Sequence, residues 1–141
     1  MFSNSCKYAL RAVLFLAQKG EGKKKFSAKE IATSLGIPPH FLAKLLQQLA
    51  KQDLVSSMKG KFGGFHLSES NLKQPLIKVI EQIDGCGFMD GCIMGLDACS
   101  DRNPCPLHEI TVTYKRGLRT MLNNKKISEL ANLIEKEKFV I

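Results

Sequence analysis

The amino-acid sequence predicts a mainly α fold carrying a small β wing, with a long helix toward its C-terminal end. Apolar residues recur every three or four positions through most of the chain. Two short β-prone runs flank a glycine- and lysine-rich turn, and one helical stretch after Pro106 is long and apolar along one side. With 141 residues, 44% hydrophobic and 24% charged, the chain suits one soluble globular domain with an appended element, and disorder or a collagen-like repeat is excluded. Residues 1–67 carry 11 basic and 3 acidic side chains, whereas residues 68–141 carry 10 of each. The whole formal excess of +8 lies in the first half. Such a split suits a basic module facing nucleic acid or another anionic surface, joined to a neutral half with a separate task.

The longest apolar run, Ala12 to Ala17, falls far short of the roughly 20 residues that span a bilayer. Met1-Phe2-Ser3-Asn4-Ser5 lacks the basic start of a signal peptide. A cytoplasmic protein with no membrane partner is therefore expected, whose thiols stay reduced and, when clustered, bind metal more often than they pair.

Tyr8, Ala9, Ala12, Val13 and Leu16 predict a buried helix from about Cys6 to Gln18, with Ser5 as N-cap and Cys6 as a small core residue. Gly20 to Lys25 reads as a solvated loop. Ser27-Ala28-Lys29-Glu30 is a capping box that opens a short helix with Ile31, Ala32 and Leu35 inward; Gly36 ends it. Pro39 suits the first position of the next helix, where its missing N–H is not needed. Leu42, Leu45, Leu46 and Leu49 form its apolar stripe, and His40, Lys44, Gln47, Gln48 and Lys51 its basic, amide-rich outer face. A helical hairpin with a solvated face has this pattern too. The segment after residue 53 decides for a winged helix-turn-helix. Leu54–Met58 and Phe65–Leu67 read as strands around the basic turn Lys59-Gly60-Lys61-Phe62-Gly63-Gly64, a wing for the DNA backbone or minor groove.

Leu76, Val79, Ile80 and Ile83 mark a helix between Pro75 and Asp84-Gly85. The stretch Cys86 to Cys105 has no usable periodicity, and a loop of that length is functional or disordered. Leu107, Ile110, Tyr114, Leu118, Met121 and Leu122 then predict a helix of about 17 residues that needs a partner surface, hence a homodimer. Leu130, Leu133 and Ile134 close the chain as a short amphipathic segment.

Four of the five cysteines lie in that loop, as Cys86-x5-Cys92-x6-Cys99-x5-Cys105, with His108 just beyond. Thiolate is the soft donor that iron–sulfur clusters and zinc prefer. The short C-x2-C knuckles of zinc fingers and the close run of bacterial ferredoxins are both missing, so the spacing suits wrapping around an object larger than one ion. Cys105 is expected at a helix start, where free N–H groups favour its thiolate, with His108 one turn on. A thiol switch or a zinc site is the alternative. No Ser/His/Asp or paired-carboxylate arrangement stands out, so neither an enzyme nor an electron carrier is expected.

Tyr8-Ala9-Leu10-Arg11-Ala12, the helix-turn-helix with Phe41-Leu42, the wing Lys59-Gly60-x-x-Gly63-Gly64-Phe65 and the cysteine loop together resemble the IscR/NsrR/CymR (Rrf-two) family of bacterial repressors over nearly the whole chain. The resemblance implies a dimer that binds double-stranded DNA operators. It also implies an iron–sulfur cofactor of the 2Fe–2S kind, held by Cys92, Cys99 and Cys105 with His108 as fourth ligand. The organisation it implies is a DNA-binding domain over 1–84, a cysteine-rich sensor loop over 85–108, and a dimerisation helix with C-terminal segment over 109–141. Candidate DNA contacts are Ser27, Lys29, Pro39, His40, Phe41, Lys44, Gln47, Lys59 and Lys61, with His40, Lys44 and Gln47 reading bases. Three features depart from the family pattern. Cys92-x6-Cys99 looks one residue longer than in IscR. Cys86 is an additional thiol that competes with His108 for the fourth position. Lys59 stands where an arginine is usual, and Arg11 alone of the 11 cations in the first half is an arginine, so the module lacks planar forks for guanine.

Overall fold

The computed structural model describes residues 2–20, 24–138 and 140–141. The predicted loop at residues 20–25 thus lies partly outside the described residues. The helices α1 (Asn4–Lys19), α2 (Ala28–Leu35) and α3 (Pro39–Ala50) precede a two-stranded antiparallel hairpin, β1 (Ser56–Met58) and β2 (Gly64–His66). Then come a short α4 (Glu69–Leu72), α5 (Leu76–Asp84), the long α6 (His108–Asn124) and α7 (Ile127–Lys136).

The core forms where the predicted stripes meet. Ala9, Val13 and Leu16 of α1, Ile31 of α2, Leu42, Leu46 and Leu49 of α3, Ile77 and Ile80 of α5 and Ile127 of α7 are all essentially inaccessible to water. Each large aliphatic chain so buried contributes about 1.5–3 kcal/mol of transfer free energy. The capping box at Ser27 and Glu30 forms with both reciprocal bonds, and Gly36 takes the left-handed conformation that ends α2. The backbone and side-chain hydrogen bonds from Ser27 hold the Glu30 carboxyl below its ordinary range.

The first helix starts earlier than expected. Its N-cap is Ser3, not Ser5: the Ser3 hydroxyl accepts from the Cys6 N–H, while its own N–H donates to Asp84 at 2.9 Å and its hydroxyl donates to the same carboxylate. Asp84 ends α5, so two helix termini are joined there, a pairing no local pattern reveals. Burial, followed by the charge of Asp84 and a hydrogen bond to it, pushes the Cys6 thiol up to about 12 and keeps it protonated in the core.

The hairpin pairs Ser56 with His66, Ser57 with Phe65 and Met58 with Gly64. It is shorter than the sequence suggests because Leu54, Val55 and Leu67 turn into the core instead of extending the ladder. Phe26 adds a further bridge to Phe65, fastening the wing to the start of α2; a Cβ on Gly64 would lie 2.8 Å from the Phe26 carbonyl oxygen.

Helix α4 escaped the sequence pattern, although Ser68-Glu69-Ser70-Asn71 has cap spacing. Asn71 is buried, and its side-chain oxygen accepts from the Ser56 hydroxyl (2.7 Å) and the Ser68 N–H (2.8 Å) while its amide donates to the Asp53 carbonyl (2.5 Å). It thus fixes the root of β1 to α4. Asn71→Ala is expected to cost about 2–3 kcal/mol, because several buried groups lose partners together. Urea unfolding with matched m-values would measure it, and a loss below about 0.5 kcal/mol would refute the assignment.

Helix α6 differs from the others. Leu122 is its only residue buried among those described, and Leu118 packs against the core. Ile110, Tyr114 and Met121 are 74%, 55% and 48% exposed. Among the described residues, no helix is long and apolar enough to cross a membrane.

Candidate functional site

Between α5 and α6 the chain makes a succession of hydrogen-bonded turns, not a structureless excursion. Gly95 N–H donates to the Cys92 carbonyl, Cys99 N–H to that of Leu96, and Ser100 and Asn103 pair in both directions. The start of the segment is anchored: Met89 is buried, Phe88 packs on Phe2 with ring centroids 5.7 Å apart, and α6 reaches over from the other side. Arg119 donates to the Cys86 carbonyl (3.3 Å) and Asp90 (3.2 Å) and lies 3.9 Å from Glu81 of α5, while Lys115 donates to the Gly91 carbonyl. Sequence reading missed this clasp. Its signal was two cations one turn apart on α6.

These anchors bring the sulfurs of Cys92, Cys99 and Cys105 within 4.8 Å of one another. Cys92 and Cys105 are 3.8 Å apart, and Cys99 lies 3.2 Å from Nδ1 of His108. The opposite ring nitrogen, Nε2, is 3.0 Å from Asp101, a carboxylate that fixes the ring's orientation. Cys86 is exposed, and its sulfur is not in the group; Arg119 holds only its carbonyl. The thiols border a small recess lined also by Met89, Ile93 and Val112.

Electrostatics differentiate the thiols. Backbone N–H groups of Leu96 and then Met94 bring Cys92 down to about 7. Cys99 receives the Cys105 N–H, yet desolvation and the two neighbouring thiols push it above its ordinary value. The expected position of Cys105 at a helix start needs correction. Helix α6 begins only at His108, whose N–H donates to the Cys105 carbonyl, so Cys105 sits in the turn before the helix. Three soft sulfur donors beside an imidazole fit an iron–sulfur or zinc centre and do not fit a hard, oxygen-seeking cation.

The second candidate surface lies on α2, α3 and the hairpin. Pro39, His40, Lys44, Gln47, Lys59 and Lys61 are exposed; Phe41 is 39% exposed and meets Tyr8 edge to face. Gln47 and Lys59 line one groove between α3 and the wing, together with Lys51 of the same outer face and with Ser57 and Met58, which the sequence did not nominate. Lys29 is exposed at the start of α2, and Ser27 is exposed while capping it. Gln48 departs from the outer face: its amide donates to the Gln82 carbonyl of α5 at 2.8 Å. Arg11 donates to the Leu35 carbonyl at 2.8 Å and so closes α2 structurally.

A helix pair closed by Gly36, a following antiparallel hairpin and the packing of α1 and α5 behind them define a winged helix-turn-helix regulator of transcription. The chain belongs to the Rrf2 family of iron-dependent transcriptional regulators, which it matches over residues 2–133. It is 32% identical over 143 residues to a putative HTH-type transcriptional regulator of Aquifex aeolicus, spanning 100% of this chain and 98% of that one. It is 29% identical to the regulator IscR of Klebsiella pneumoniae over 89% of this chain and 76% of the other. In fold it is similar to CymR, the global cysteine regulator of B. subtilis, with a TM-score of 0.75 at 22% identity over 94% of this chain and 97% of that one. The T. potens IscR structure gives 0.74 at 20% identity, over 100% and 93% of the two chains.

Proposed function

We propose that this protein is a homodimeric, DNA-binding repressor whose operator affinity depends on a [2Fe–2S]-type cluster in the cysteine loop. The observation that carries the reading is the convergence of the Cys92, Cys99 and Cys105 sulfurs within 4.8 Å, with His108 beside Cys99. Those cysteines are assigned as the sulfur ligands and His108 as the nitrogen ligand. When bound, the cluster supplies a centre whose presence and charge respond to iron and to oxidants. The chain's own side chains link that centre to DNA. Lys115 and Arg119 hold the loop to α6 and α5, and α5 holds α3 through the Gln48–Gln82 bond, so order in the loop bears on where α3 sits.

His40, Lys44 and Gln47 are assigned to base edges in the major groove. Ser27, Lys29, Pro39, Phe41, Lys59 and Lys61 are assigned to the backbone and the adjacent minor groove. Lysine charge of this kind gives an affinity whose logarithm falls by about 0.9 per neutralised phosphate for each decade of salt.

Protein purified without oxygen is expected to show visible charge-transfer absorption with matching iron and acid-labile sulfide. Zinc without sulfide, or a colourless protein with full operator affinity, would overturn the cluster. A second reading, a thiol switch, is favoured by the 3.8 Å approach of Cys92 to Cys105. In that case metal-free protein would lose or gain operator affinity on oxidation and recover it with a dithiol.

A further inference from the structure

We propose that Phe62 is an apolar wedge that inserts at a base step in the minor groove of duplex DNA. The inference rests on the DNA-binding reading and adds a contact that the charged and amide side chains do not supply. At 83% exposure, Phe62 is the most accessible aromatic side chain among those described. Burying a phenyl ring is among the largest apolar gains a side chain makes, and turn positions otherwise favour glycine and small polar residues.

The tip is built to hold that ring. Gly63 N–H donates to the Gly60 carbonyl at 3.0 Å and closes the turn Gly60-Lys61-Phe62-Gly63. Gly60 has φ +105, and a Cβ on Gly63 would lie 2.1 Å from the Met58 carbonyl oxygen, so this backbone path requires glycine at both positions. Lys61 Nζ lies 5.8 Å from the Phe62 ring centroid, and Lys59 is exposed where β1 ends. The surface the ring enters is therefore one that offers an apolar slot between closely spaced anions. Stacked bases flanked by phosphates meet both demands, and phenylalanine is among the side chains that pry such steps apart. An anionic lipid surface also pairs apolar depth with negative charge. Continuity decides for DNA: Lys59 at the base of the tip shares its groove with Gln47 of α3.

The test compares wild type, Phe62→Ala, Phe62→Leu and Lys61→Ala on a duplex that the wild-type protein selects from a randomised pool. Because Phe62 is exposed, matched thermal unfolding should confirm an intact fold in each variant. Phe62→Ala is expected to weaken binding by about 5- to 50-fold with an unchanged salt slope. Phe62→Leu should fall between the two, and Lys61→Ala should lower the slope by about one phosphate. Energy transfer between dyes at the duplex ends should report a bend that shrinks with Phe62→Ala, since wedging kinks the helix. Equal affinity for wild type and Phe62→Ala, or an unchanged bend, overturns the wedge while leaving DNA binding intact. A wild type that selects no duplex, with Phe62-dependent binding to phosphatidylglycerol vesicles instead, overturns both readings and is recognisably different.

Discussion

Cys99→Ala is expected to strip the protein of iron and acid-labile sulfide, to below about a tenth of the wild-type content. Cys99 is the thiol that touches His108, at 3.2 Å, and it shares the 4.8 Å group with Cys92 and Cys105. Its removal leaves two sulfurs and an imidazole that keeps Asp101 but has lost its sulfur neighbour. Loss of an orienting group around a ligand already costs about 10–100-fold in metal affinity, and loss of a ligand costs more. Cys99 lies outside the buried core, so the variant should unfold at the wild-type urea midpoint of metal-free protein. Its operator affinity should equal that of chelator-treated wild type. Cys86→Ala is the matched control: its sulfur lies outside the group, and its metal content should stay unchanged. Full iron and sulfide in Cys99→Ala, or equal loss in Cys86→Ala, would remove the assigned ligand set.

The reading head was legible because its signals are local. Ser27 and Glu30 are three residues apart, Gly36 comes directly after Leu35, and the leucines of α3 share one face at fixed intervals, so each element announces itself within a turn or two. The features that stayed hidden depend on partners distant in sequence. Ser3 became the N-cap of α1 because Asp84, 81 residues away, holds it. Arg119 meets Cys86 and Asp90, 33 and 29 residues back. Cysteine spacing nominated the thiols without revealing which would meet: Cys92 lies against Cys105, Cys99 against His108, and Cys86 stands apart. The arginine count also misled slightly. Arg11 counted toward a basic surface by composition, yet its guanidinium caps the last turn of α2.

Ile110→Glu is expected to convert the protein to a monomer and to lower operator affinity by at least about 100-fold. Ile110 is 74% exposed on α6, in line with Tyr114 and Met121, on a helix whose only buried residue among those described is Leu122. A 17-residue helix with that little burial of its own draws its stability from packing, and the packing still available is against the exposed stripe. A carboxylate at the N-terminal end of that stripe would have to be buried unpaired on association, which opposes assembly while leaving Leu122 in the core and Leu118 packed against it untouched. The loss at DNA is geometric in origin. In the proposed dimer, two recognition helices held one helical turn of DNA apart would bind as a unit, and a monomer would forfeit the effective concentration of the second head, about 10²–10⁴-fold. Sedimentation should show half the wild-type mass with an unchanged helical spectrum, and binding to a single half-site should be nearly unaffected. If Ile110→Glu remains dimeric, the association surface lies elsewhere. If it is monomeric yet binds the full operator as tightly as wild type, the paired-head account of its affinity fails.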